Sequence, residues 1–263
     1  MKKILLMILF ICVCSLVSCG KEEEIAEYEY YLLFEKNDTG YTINWCDRNK
    51  KDVELPSEYN GLPVTSIGKS AFEGCCITSI EIPNTVTSIE DYAFKNCENL
   101  ENILVSKNLI TIGEEAFKGC NNIKYTEYKN GKYIGSSDNP YMVMIGVIDE
   151  TVTSFEINNT CEILTGALKR CGNLESIEIP EGVKSIGVRE FRECWNLKII
   201  VIPSTVKSIG IVAFGISNIE VIYNNSDIVL DENRDFPYYI SDKTKVYDKG
   251  EWSYVNGVPT PNK

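Results

Sequence analysis

The sequence predicts a repeat protein: a right-handed solenoid in which short coils of chain stack on one another and share a core. One apolar pattern recurs along the chain, and its recurrences are 22 to 23 residues apart. A proline also marks the same place in several of them, at Pro83, Pro180 and Pro203. A fixed period of roughly 20 to 50 residues is typical of proteins whose repeats contact only their neighbours.

Six copies of the pattern are visible, with the consensus I-x-I-P-x-x-V-x-x-I-G-x-x-A-F-x-x-C-x-x-L. The I-x-I residues alternate as in a strand, and the proline after them ends that strand. The A-F-x-x-C residues would share one face of a short helical turn. The period and pattern predict a leucine-rich-repeat solenoid over residues 53–223, with short parallel strands and short helical turns.

Four departures from the consensus predict local distortion. Glu90 replaces the consensus glycine, and Glu190 brings a carboxylate to the alanine position, where packing is expected. The sixth copy lacks the cysteine, and the fourth, residues 155–174, is the least regular.

The predicted solenoid has β-rich ends and one insert. Residues 28–52 read as two strands that cap the first coil, and residues 224–263 as a β-rich C-terminal cap, because the open apolar end of a solenoid must be covered. The insert, residues 124–154, contains Asn130-Gly131, which predicts a type I′ hairpin turn. It is either a protruding ligand loop or a hairpin that pads the solenoid between two halves.

The N-terminus has the pattern of an export signal. A basic start precedes an apolar run of 14 residues, Ile4 to Val17, and Ser18 then precedes Cys19. This order resembles the lipobox of bacterial lipoproteins, which implies that residues 1–18 are removed and that Cys19 receives lipid. Residues 19–27 would then form an acidic tether. The alternatives are an ordinary secretory signal with a chance cysteine and a retained transmembrane anchor.

Composition argues against two functional classes. The net charge is −12 and the pI about 4.7, so the chain does not attract nucleic-acid backbones. It contains no histidine, which removes Ser-His-Asp triads, Cys-His pairs and H-E-x-x-H zinc sites. We therefore expect no catalysis, cofactor or metal. A glycosidase carboxylate pair is the remaining enzymatic alternative, and no spacing singles one out.

The cysteines fall into two groups. Five occupy one consensus position and should form a buried ladder of free thiols, because a straight ladder suits neither disulfide nor tetrahedral zinc geometry; they are Cys75, Cys97, Cys120, Cys171 and Cys194. Cys46, Cys76 and Cys161 lie off that position and are the better disulfide candidates. The sequence leaves their pairing open.

The outward residues of the I-x-I strands form a candidate ligand face. It is mostly acidic with apolar members, and consists of Glu81, Leu104, Glu156, Glu178, Ile199 and Val201. The alternative is a merely solvated sheet. Trp252 and Tyr254 form a candidate aromatic patch, which could stack on a sugar ring or simply close the last coil.

The consensus resembles the BspA-like leucine-rich repeats of bacterial surface proteins over about residues 53–222. That resemblance implies a surface-exposed protein. It also implies a binding role, because some members of the family bind host matrix proteins or other cells. With the lipobox, it predicts a non-catalytic adhesion or binding protein that recognises an extracellular protein or glycan. Membrane contact would be through the N-terminal lipid only, on the outer surface of the cell envelope. The alternative is a periplasm-facing accessory lipoprotein for envelope structure or nutrient capture, and the oligomeric state is left open.

Overall fold

A computed structural model describes residues 31–231 and 244–262. The predicted signal peptide, Cys19 and the acidic tether lie outside these residues. The strands are β1 (Leu32–Lys36), β2 (Tyr41–Cys46), β3 (Glu58–Tyr59), β4 (Leu62–Ile67), β5 (Ser79–Glu81), β6 (Ser88–Ile89), β7 (Asn102–Leu104), β8 (Thr111–Ile112), β9 (Thr126–Tyr128), β10 (Gly131–Ile134), β11 (Val143–Val147), β12 (Ile163–Leu164), β13 (Ser176–Glu178), β14 (Ser185–Ile186), β15 (Ile199–Ile202), β16 (Ser208–Ile209), β17 (Val221–Asn224), β18 (Lys245–Tyr247), β19 (Trp252–Val255) and β20 (Val258–Pro261).

The chain is a solenoid, as predicted, but a regular coil supplies two short strands rather than one. The I-x-I strands pair in parallel as β5–β7 and as β13–β15–β17–β18. The second strand of each coil comes from the V-x-S-I stretch. The second strands β4, β6 and β8 lie in the sheet β1–β2–β4–β6–β8, in which β3 also pairs with β4. The second strands β12, β14 and β16 lie in the sheet β16–β14–β12–β11–β10–β9. Equivalent consensus positions face each other, as in the pairs Ile80 with Ile103 and Ile177 with Ile200.

The core is built from the consensus apolar residues, which stack from coil to coil. The ring centroids of Phe72 and Phe94 are 5.0 Å apart, and those of Phe191 and Phe214 are 5.7 Å apart, with both pairs stacked. All four rings are fully buried. Each buried aromatic or aliphatic side chain contributes about 1.5–3 kcal/mol, so the repeated stack is the main source of stability.

The A-F-x-x-C segments are turns, and the predicted helical turns were wrong: the described residues contain no helix. The residue before the consensus alanine has a positive φ, 55° at Ser70 and 59° at Tyr92, which a right-handed helix cannot accommodate. Backbone N–H groups instead alternate their partners. The N–H of Ala71 donates within its turn to Gly68 (3.1 Å), and that of Phe72 donates to Ala93 of the next coil (2.7 Å). This alternation gives the N–H groups of the turn hydrogen-bond acceptors, and it links adjacent coils by backbone hydrogen bonds.

Glu190 shows how the degenerate fourth copy is accommodated. In regular coils the N–H of the consensus phenylalanine donates to the alanine-position carbonyl of the next coil. At the fourth coil, Leu168 N–H instead donates to Glu190 Oε1 (3.1 Å), and Gly166 N–H donates to Glu190 Oε2. Burial raises the pKa of this fully enclosed carboxyl to about 7. The carboxylate thus replaces a carbonyl in the ladder.

The cysteine ladder is confirmed. Its five members are buried free thiols. Cys97 Sγ–H donates to the Phe72 carbonyl (3.0 Å) and Cys120 Sγ–H to that of Phe94 (2.9 Å), so the thiols also link coils. Cys46, Cys76 and Cys161 are free as well, so the expectation that they are the disulfide candidates was wrong. Cys46 takes the place of the consensus phenylalanine before the first coil, because its N–H donates to Ala71 just as that of Phe72 donates to Ala93.

The insert adds three strands to one second-strand sheet. β10 pairs antiparallel with β9 and β11, and β11 pairs in parallel with β12. Its turn lies one residue earlier than predicted. Tyr128 pairs with Gly131, so the central residues are Lys129 and Asn130, and Lys129 has a φ of 51°. Gly131 is the first residue of β10. A glycine is needed there because a Cβ would lie 2.5 Å from the Tyr133 ring. These contacts fit the interpretation that the insert joins two halves of the solenoid.

The described end segments are β-structured. At the N-terminus β1 and β2 form a hairpin, and β2 pairs in parallel with β4 of the first coil. At the C-terminus β18 pairs in parallel with β17, and β19 and β20 form a separate hairpin, the C-terminal hairpin. The hairpin packs on β17 through Trp252 and Tyr223.

Candidate functional site

The predicted ligand face begins with an open patch at β5 and β7, the N-terminal patch. Glu81 and Leu104 are opposite each other in the parallel ladder, and both are exposed, with Leu104 42% exposed. Ser79 and Asn102 form the adjacent exposed pair. This patch is small and places a carboxylate next to an accessible leucine side chain.

Glu156 is not part of a continuous face. The fourth coil has no I-x-I strand, and Glu156 accepts hydrogen bonds from the Tyr128 hydroxyl (2.7 Å) and from the Lys129 ammonium. The hydrogen bond from Lys129, followed by that from Tyr128, lowers the pKa of Glu156. The insert hairpin therefore binds this carboxylate and separates the N-terminal patch from the remaining candidates.

The C-terminal hairpin contacts the rest of the predicted face and leaves only part of it open. The Tyr254 hydroxyl donates to Glu178 Oε1 (2.8 Å), and the Trp252 ring lies 5.1 Å from the Tyr223 ring. Val201, between Glu178 and Tyr223 in the ladder, is only 7% exposed. The expectation that Val201 is accessible was therefore wrong: it lies on the outward side of its strand, but the molecule covers it.

Glu178 and Ile199 lie at the margin of this covered region. Both remain exposed, with Ile199 at 38%. Desolvation and the hydrogen bond to Glu178 raise the pKa of Tyr254 to about 12, so its hydroxyl keeps its proton at neutral pH. The hydroxyl is thus a stable donor to the Glu178 carboxylate.

The predicted aromatic patch has edge-on geometry. The Trp252 and Tyr254 rings are 5.4 Å apart with an interplanar angle of 69°. Trp252 is partly buried, and its indole N–H is enclosed with no hydrogen-bond partner among the described residues. Trp252 also packs on Tyr223, which in turn stacks on Tyr247 of β18 at 5.6 Å. These aromatic contacts hold the hairpin on the last coils.

Residues 31–231 and 244–262 contain no group of three or more Asp, Glu, Cys or His side chains placed to hold a metal ion. Within the same ranges, no helix has the length and hydropathy needed to cross a bilayer.

Comparison with known proteins decides the family. The model of the BspA type leucine-rich repeat region matches six copies in this chain, over residues 45–138 and 149–238. The chain belongs to the BspA-type leucine-rich-repeat family.

Solved structures with a similar course of chain are also bacterial leucine-rich-repeat proteins. A cell surface protein from Faecalibacterium prausnitzii is 20% identical over 94% of this chain, with a TM-score of 0.42, and this chain spans 60% of it. A leucine-rich-repeat protein of T. pallidum is 20% identical over 75% of this chain and 85% of its own, with a TM-score of 0.41. One from Eubacterium ventriosum is 25% identical over 68% of this chain and 43% of its own, with a TM-score of 0.36. No curated protein matches the chain.

Proposed function

We propose that this BspA-type repeat protein is a non-catalytic binding or adhesion protein, anchored by lipid at Cys19 and facing outward from the bacterial envelope. Its ligand would be an extracellular protein or glycan. The observation that supports this best is the N-terminal patch, where Glu81 and Leu104 stand side by side on a paired, rigid sheet and are left uncovered. An exposed apolar side chain supplies surface that a partner can desolvate, and the adjacent charge can orient that partner.

The N-terminal patch favours a basic or mixed protein surface over nucleic acid. The protein carries a net charge of −12, and the patch itself contributes the Glu81 carboxylate. At its border Glu101 is neutralised by Lys124, with an N···O distance of 2.8 Å. Complementary charge would steer a partner to the patch, and Leu104 would supply the desolvated contact.

A ligand array tests this proposal. The protein is screened against matrix proteins, mucins and bacterial-surface ligands, and each hit is measured again with Glu81→Lys and Leu104→Asp. Each variant should weaken binding by about tenfold or more, as expected for the loss of 1.4 kcal/mol at a contact centre. The matched controls are Glu98→Lys and Ile110→Asp, which make the same changes at exposed residues outside the patch. Equal effects in variants and controls would show that the N-terminal patch is not where the ligand binds.

Anchoring and orientation are tested on whole cells. Cys19→Ala should abolish fatty-acid incorporation and release the protein from the membrane fraction. Protease shaving of intact cells should remove the wild-type protein. Protection from the protease would instead support the periplasm-facing accessory lipoprotein.

A further inference from the structure

The two halves of the solenoid face each other across a cleft on the side of the second strands. Its cavity measures about 320 Å³ and is open to solvent. One wall comes from β6 and β8 with the residues that follow them, and the other from β14 and β16. These walls come from sequence regions about a hundred residues apart, so only the fold brings them together.

Ion pairs join the halves beside the cleft. Arg189, next to the β14 wall, pairs with Glu114, next to the β8 wall. Lys169 pairs with Glu115 at 3.5 Å. Both carboxylates are largely shielded, with side-chain exposures of 15% for Glu114 and 24% for Glu115, so the pairs are less screened than surface ones. They bridge the two walls.

The walls present hydroxyl groups in register. Ser88 is paired with Thr111 on one wall, and Ser185 with Ser208 on the other. Adjacent strands place such pairs about 4.8 Å apart. Among the described residues none of these four hydroxyls has a protein partner, although Ser66 at the same consensus position bonds Thr42 at 2.6 Å. Each free hydroxyl can both donate and accept a hydrogen bond.

Carboxylates and small residues complete the lining. Glu90 accepts the Lys69 N–H (2.9 Å) and Asp91 accepts the Glu114 N–H (2.8 Å), and each uses one carboxylate oxygen to do so. The remaining oxygens can accept from a ligand. Gly113 and Gly210 add no side chain to the cleft. None would fit, because a Cβ at Gly113 would lie 2.3 Å from the Asp91 nitrogen and a Cβ at Gly210 would lie 2.4 Å from the Val188 nitrogen. Buried Ile89 and Ile112 lie beneath the polar groups.

We infer that this cleft is a second binding site, separate from the N-terminal patch, and that it takes a neutral saccharide of one or two rings. Sugar hydroxyls donate and accept, and so match free Ser and Thr hydroxyls flanked by carboxylates. The cavity is at the small end of ligand sites, which span roughly 300–1,000 Å³. Two lining carboxylates against one lining lysine disfavour an acidic ligand.

The hydroxyl residue before the buried isoleucine recurs from copy to copy, which supports a role for it beyond packing. The residue before the buried isoleucine is Ser66, Ser88, Thr111, Ser185 or Ser208 in five of the six copies. The core requires only the isoleucine, so the hydroxyl is an additional shared feature. The fourth copy has Ile163 there, and Ile163 does not line the cleft.

Saturation-transfer NMR and calorimetry on the full-length protein test the inference. The probes are glucose, galactose, mannose, N-acetylglucosamine and their disaccharides, with glucuronic acid and an acidic and a neutral hexapeptide for comparison. At least one neutral sugar should bind with a Kd on the order of 1 mM or tighter. The double variant Ser88→Ala/Ser208→Ala should weaken that binding at least about tenfold, because two polar contacts are lost.

The matched control is Ser66→Ala, which removes the same consensus hydroxyl outside the cleft and should leave the Kd unchanged. Ser208→Phe narrows the cleft and should abolish binding, and an unchanged Tm shows that each variant is folded. Three results would overturn the inference: no neutral sugar bound at about 10 mM, ten times the expected Kd; binding unaffected by both cleft variants; or tighter binding of glucuronic acid or a peptide. Each of these leaves the N-terminal patch untouched, so the two proposals fail separately.

Discussion

At the scale of single residues, the departures from the consensus carry the most information. Glu190 was expected to distort the packing at an alanine position. It instead accepts backbone N–H groups of the fourth coil, including those of Gly166 and Leu168. Sequence alone identified the position as unusual, but could not show which donors a buried carboxylate would meet.

Glu190 makes stability depend on pH. Its pKa is about 7 when folded, against an ordinary value of 4.5, so the folded protein binds more protons than the unfolded chain between these values. Stability should therefore fall as pH rises from about 4.5 to 7, by about 3 kcal/mol in total. Urea unfolding at pH 5 and pH 8 measures this difference. Glu190→Gln, which cannot ionise, should flatten the profile, and an unchanged slope in the variant would contradict the assignment.

The thiols differ in reactivity. Burial raises the pKa of Cys161 and Cys171 to about 12, so their thiolate populations are very small at pH 8. Cys76 alone among the eight cysteines between residues 46 and 194 is not fully buried. Iodoacetamide at pH 8 should modify Cys76 first, read out by peptide mass spectrometry. Labelling of Cys171 at a rate equal to that of Cys76 would show that the ladder is open.

At the scale of elements, the C-terminal hairpin makes a contact that the sequence did not predict. Residues 224–263 read as an aromatic, turn-rich cap, and Trp252 packs on Tyr223 of the last coil. The hairpin also reaches across the outward side to Glu178, which is 76 residues from Tyr254. Its aromatic residues gave a signal for a contact, but nothing in the spacing showed where that contact would be.

The Tyr254 hydroxyl should hold the hairpin in place. Tyr254→Phe removes the hydrogen bond to Glu178, and the loss of about 1–1.5 kcal/mol should speed amide exchange in β19 and β20 by about five- to tenfold. Hydrogen-exchange mass spectrometry measures this. The control is Val255→Thr, at a residue of the same hairpin that is 52% exposed, which should change exchange little. Equal protection in Tyr254→Phe and wild type would show that the ring packing suffices.

At the scale of the whole molecule, stability comes from the stacking of equivalent residues in successive coils. Phe94 lies between Phe72 and Phe117, with centroid distances of 5.0 and 5.5 Å. Phe117 ends this stack and is partly exposed. In a solenoid the neighbours of a residue set its contribution, so these two equivalent phenylalanines should differ.

Phe94→Ala should lower the free energy of unfolding by about 3–5 kcal/mol, because it leaves a cavity with coils on both sides. Phe117→Ala is the matched variant at the same consensus position and should cost clearly less. Chemical denaturation of both variants gives the comparison. A loss at Phe117 equal to that at Phe94 would mean that the partly exposed end of the stack contributes as much as its interior.

The sequence by itself determined the coil. Its period, the buried positions and the free cysteine ladder follow from the pattern, because every coil meets a nearly identical neighbour and so repeats the same requirements. The same pattern left the turns ambiguous: A-F-x-x-C spacing suits a helix, and only the partners available in the next coil favour turns with alternating hydrogen bonds. Tertiary structure decided three features: the burial of Val201, the hydrogen bonds from the insert to Glu156, and the cleft lined by hydroxyl groups. Each depends on where non-repeating segments and two distant halves come to lie, and no periodic signal encodes those contacts.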